Sequence, residues 1–69
     1  MNILLMSNQM NIKVGDNKLL TMIIKMADDL HLQWRPLSDV RVVVSGNRVV
    51  LYELLLELTS VYLGEIEII

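Results

Sequence analysis

Apolar and polar residues alternate from Met10, where Met10, Ile12 and Val14 are separated by Asn11 and Lys13, the period of a strand with one buried face. Gly15-Asp16-Asn17 interrupts this pattern and supplies side-chain oxygens that can accept from the unpaired first amides of a helix. Beyond it the period lengthens. Leu19, Ile23, Met26, Ala27 and Leu30 share one helical face, and Lys18, Thr21, Lys25, Asp28 and Asp29 the other, which predicts a surface helix running to about Leu30. Upstream, Ile3 to Met6 is a uniformly apolar strand candidate, with Ser7-Asn8-Gln9 as the turn that would join it to Met10.

Arg35-Pro36 stops any helical continuation, because the residue before proline is pushed toward extended geometry, and the surrounding stretch reads as a long connection. Val40 to Val44 is dense in β-branched residues, Ser45-Gly46-Asn47-Arg48 has turn chemistry, and Val49 to Tyr52 resumes the pattern. A hairpin turning at Gly46-Asn47 is expected. It would gather Val40, Val42, Val44, Val49 and Leu51 on one face, and Arg41, Val43, Ser45, Arg48, Val50 and Tyr52 on the other. From Glu53 the helical period returns: Glu53, Glu57 and Ser60 form a stripe opposite Leu54, Leu55, Leu58, Val61 and Tyr62. Gly64 is placed to end this second helix, and Glu65 to Ile68 alternates as a last strand.

The expected class is therefore α+β, with the βαββαβ order of a small ferredoxin-like split βαβ fold and Met1 to Met6 as a candidate extra N-terminal strand. The alternative makes Asn47 a helix N-cap and Arg48 to Leu63 one long helix, giving βαβαβ with a parallel sheet. The adjacent β-branched pair Val49-Val50 at the start of such a helix weighs against it.

The chain has 69 residues, read as a single domain over residues 1–69. A domain of that size buries only roughly 60% of the surface its unfolded chain exposes, so it commonly needs a disulfide, a metal or an oligomer. With no cysteine and one histidine, His31, self-association is the remaining aid. Apolar residues make up 54% of the chain, but Glu53 breaks the longest apolar runs, so no membrane span is expected. The N-terminal residues lack the basic start and small-residue cleavage site of a signal peptide, and a cytoplasmic location is the default expectation. Net charge is −2, and every basic residue precedes Glu53, so the last third is acidic.

Catalytic residue types are scarce, and no enzyme activity and no cofactor are expected. His31 with Asp28 or Asp29 would give a metal at most two ligands, and a solvated histidine at a helix C-terminus explains it without a metal. Lys25 can pair with Asp29 across one turn, and Ser38-Asp39 are ordinary turn residues. Gly46 is isolated from any phosphate-binding glycine pattern. Trp34 is read as a core plug ahead of the other reading, an exposed contact anchor. Arg41, Arg48 and Tyr52 would give the open sheet face a weak basic footprint without the aromatic pattern of RNA-recognition modules, so nucleic acid is disfavoured. Val40-Arg41-Val42, Gly46, Glu53 and Ser60-Val61 are faintly similar to gas-vesicle shell proteins over a minor part of the chain, on common residue types, and assign no family.

The leading expectation is a non-enzymatic protein–protein interaction or assembly module whose partners are itself, as a homo-oligomer, and another protein. Its expected surface comprises Arg41, Val43, Arg48, Val50, Tyr52, Leu56 and Leu63, because this much apolar surface does not fit behind one small sheet. The second expectation is a sensor domain holding a small ligand between subunits, and the third an RNA-binding sheet face.

Overall fold

The computed structural model describes residues 8–62 and 64–69, so the candidate strand Ile3 to Met6 and Leu63 lie outside the described residues. The elements are β1 (Gln9–Val14), α1 (Asn17–Asp29), β2 (Gln33–Ser38), β3 (Arg41–Ser45), α2 (Arg48–Val61) and β4 (Ile66–Ile68). The four strands form one antiparallel sheet in the order β2-β3-β1-β4, and the chain is of α+β class. Each helix therefore connects two parallel strands that an antiparallel strand separates: β3 lies between β1 and β2, and β1 between β3 and β4.

Register places Met10 opposite Val44 and Ile12 opposite Val42, so one face of the central strand pair is wholly apolar. Both helices cover that face. From α1 come Leu19, Leu20, Ile23 and Ala27, and from α2 come Leu51, Leu54, Leu55 and Leu58, all buried with Met10, Ile12, Val14, Val42 and Val44. Burying each large aliphatic side chain contributes roughly 1.5–3 kcal/mol, which makes this layer contact the main stabilising term.

The expected hairpin at Gly46-Asn47 does not form. Asn47 is the N-cap of α2, its side-chain oxygen accepting from the Val49 amide at 2.8 Å, and Arg48 to Tyr52 are helical. Starting the helix here adds Leu51 to the stripe of Leu54, Leu55 and Leu58, which outweighs the modest cost of Val49-Val50. The helix half of the alternative reading is thus realised, but its parallel sheet is not, because β3 finds its neighbour in the stretch taken for a connection.

That neighbour is β2, and Pro36 is compatible with it for a definite reason. The Val14 amide donates to the Val40 carbonyl at 2.8 Å and the Gly46 amide to the Asn8 carbonyl at 3.0 Å, so even-numbered residues of β3 direct their backbone groups at β1 and odd-numbered ones at β2. Pro36, opposite Val42, occupies a position whose N–H would point out from the edge, and its absence costs no ladder bond.

Two backbone devices set the joints. α1 starts on Asp16, whose carboxylate accepts from the Leu19 amide at 2.9 Å. It ends with bonds from His31 N–H to the Asp28 carbonyl and from Leu32 N–H to the Ala27 carbonyl, a Schellman arrangement that puts His31 in the left-handed region at φ 59°. Gly46 joins β3 to α2 at φ 148°, and a Cβ there would stand 2.7 Å from Leu32 Cδ2.

Two stability predictions follow from these joints. His31→Gly relieves the left-handed side chain and is expected to raise unfolding free energy by about 0.5–1 kcal/mol, read as a higher urea midpoint at unchanged slope. Gly46→Ala should lower it by about 1–3 kcal/mol in the same assay, since both backbone and Leu32 resist the methyl group. A neutral Gly46→Ala would contradict the close packing of this joint.

Candidate functional site

Because even-numbered residues of β1 and β3 face the helices, the odd-numbered ones form the open face of the sheet. Across it, Arg41 lies opposite Lys13, Lys13 opposite Glu67, and Arg35 opposite Val43, which in turn lies opposite Asn11. Three cations and one carboxylate thus occupy a face of a chain whose net charge is −2. Lys13 and Arg41 are like charges directly across a strand pair, an arrangement that costs stability, with Glu67 on the far side of Lys13 offsetting part of it. Arg41 Nε and Asn11 Oδ1 are both buried without a hydrogen-bond partner on this face. Unsatisfied groups of this kind are uncommon in folded proteins.

The second surface is the outside of α2. Val49 and Leu56, each 66% exposed, stand beside Glu53, Glu57 and Ser60 on the side away from Leu51, Leu54 and Leu58, and Val61, in line with Leu54 and Leu58, is 62% exposed because it is the last residue of the helix. α2 has no acidic residue in its first turn and no basic residue in its last, so its charges do not serve the helix dipole.

The residues expected on the outer face of the hairpin (Arg41, Val43, Arg48, Val50 and Tyr52) and on the flank of the second helix (Leu56 and Leu63) do not form one surface. Arg41 and Val43, both half-buried, lie on the open sheet face. Arg48 is the exposed first residue of α2, Val50 and Tyr52 are half-buried and pack against the core, and Leu56 is on the outside of the helix. Leu63 is outside the described residues. The surface residues that sequence reasoning missed are Lys13 and Arg35: the alternation at Met10 to Val14 already placed Lys13 outward, whereas Arg35 became legible only once its stretch was a strand.

Trp34 and Tyr62 are engaged away from the open sheet face. Trp34 lies opposite Val44 on the helix side of the edge strand, 38% exposed, and its Nε1 donates to Asp28 Oδ1 at 2.8 Å. It is therefore a partly covered edge residue rather than a core plug. Tyr62 caps α2, and its hydroxyl donates to Met22 Sδ at 3.8 Å. Among the described residues, the strand positions of the open face next to Lys13, Arg35 and Arg41 carry no aromatic ring.

An open cleft of about 420 Å³ at one end of the sheet is lined by Lys13, Val14, Gly15, Gly64, Glu65, Ile66 and Glu67. Its side chains offer one amine and two carboxylates, and no nucleophile paired with a base. Among the described residues no group of three His, Cys, Asp or Glu side chains is placed to hold a metal ion. His31 is exposed at the end of α1. No described helix is long and apolar enough to cross a membrane.

The Trp34–Asp28 bond ties the edge strand to α1 and gives a direct test of that junction. A double-mutant cycle of Trp34→Phe and Asp28→Ala is expected to return a coupling of about 0.5–1.5 kcal/mol in chemical denaturation. Strict additivity would show that the bond contributes nothing in solution.

In comparisons with known proteins, no protein-family model, no curated protein and no solved structure matches this chain.

Proposed function

We propose that this chain is a non-catalytic interaction module of ferredoxin-like, split βαβ architecture, and that it assembles with copies of itself. The architectural part rests on the strand order β2-β3-β1-β4 together with the two helices that each bridge a pair of parallel, non-adjacent strands. The functional part rests on one observation: Val49 and Leu56, two turns apart on the outer side of α2, expose most of their side-chain surface on a very small domain.

The energetics favour this reading. A core of this size without disulfide or metal rarely supplies more than about 3–5 kcal/mol, and covering exposed aliphatic side chains in a contact adds to it. The sheet edges are poor candidates for the contact. Pro36 and the register shift between Pro36 and Ser38 blunt the β2 edge, and β4 has only three residues. Assembly is therefore assigned to faces rather than edges.

Sedimentation velocity over a range of concentrations tests the proposal. Wild type is expected to associate with rising concentration and to melt at a concentration-dependent temperature. Leu56→Asp, at an exposed position that should leave the fold intact, is expected to shift the distribution toward monomer. A wild-type chain that remains monomeric at the highest concentration, with a melting temperature independent of concentration, overturns it.

A further inference from the structure

We propose that the self-contact is head-to-tail: the open sheet face of one copy, with Lys13, Arg35 and Arg41 around Val43, receives the outer face of α2 of the next, with Glu53, Glu57 and Leu56. This inference rests on the self-association reading above and specifies its geometry. The two faces lie on opposite layers of the same domain, since the helices cover one side of the sheet and leave the other open. Their charges are of opposite sign. A two-fold contact of either face with itself would bring like charges together, whereas a contact between the two faces pairs cations with carboxylates.

Two further features fit the same contact. α2 is 14 residues long, or about 21 Å at 1.5 Å per residue, and the domain measures 26 × 25 × 18 Å, so one helix lies along one sheet face. Glu53 and Glu57 are one turn apart, about 6 Å along the axis, while Arg35 and Arg41 lie diagonally across neighbouring strands at about 7–8 Å, so both carboxylates reach guanidinium groups together.

Because the two contacting faces are different and lie on opposite sides, the assembly is expected to be an open series of sizes rather than a fixed dimer. Sedimentation velocity with charge-reversed variants tests this. Raising ionic strength from about 0.1 to about 1 M shortens the Debye length from about 10 to about 3 Å and is expected to dissociate the wild-type series. Glu53→Lys with Glu57→Lys, and separately Arg35→Glu with Arg41→Glu, should each weaken association by at least about tenfold. Mixing the two variants should restore it, since each then offers the other a face of opposite charge, and recovery in the mixture also shows that both are folded. Association that survives both reversals and high salt but is lost in Leu56→Asp would indicate an apolar two-fold contact and overturn the head-to-tail geometry while leaving self-association standing. A wild-type monomer overturns both readings; if that monomer binds a single-stranded oligouridylate through Arg35 and Arg41, the cationic face serves a nucleic acid instead.

Discussion

The pairing of Met10 with Val44 and of Ile12 with Val42 gives the two central strands a single continuous apolar face, and both helices are placed by the need to cover it. A slip of one residue would drive Asn11 and Lys13 into the core and expose the valines, so the register is strongly determined. The helices supply the cover through Leu51, Leu54, Leu55 and Leu58 on one side and Leu19, Leu20, Ile23 and Ala27 on the other. The Asn47 cap and the Gly46 joint matter because they let the chain leave β3 and begin this cover within two residues.

The same register that builds the core sorts the charges. Residues excluded from the apolar face of β1 and β3 include Lys13 and Arg41, and the edge strand adds Arg35 beside Val43. On the opposite layer, the side of α2 excluded from the core carries Glu53 and Glu57 next to Leu56. A mildly acidic chain thus acquires a cationic sheet and an acidic helix, and the proposed assembly is a consequence of that separation rather than of a dedicated motif.

Within the described residues, β1 and α1 were legible with nearly their observed bounds because their burial is local in origin: one face per element, read directly from a period of two or of 3.6. The segment from Val40 to Tyr52 was harder. Val49 to Tyr52 is β-branched and apolar enough to serve in either a strand or the first turn of a helix, and local propensity favoured the strand. What decided it was Leu51 completing a buried stripe with residues further along, together with the Asn47 cap. Gln33 to Ser38 failed in the opposite sense. Its proline and uniform exposure mask a strand whose existence depends only on the free edge of β3.

The sequence by itself determined the α+β class, the two-faced character of β1, α1 and β3, the lack of cysteine chemistry, and the excess of apolar side chains that motivates assembly. Only the tertiary structure decided which segment pairs with β3, and with it which cations share a face, because strand pairing depends on backbone groups distant in sequence and leaves little trace in the side chains of an edge strand. Arg35 shows the difference most directly. In the sequence it is the residue before a proline; in the sheet it stands across from Val43 on the same face as Arg41, at a place that nothing local to it specifies.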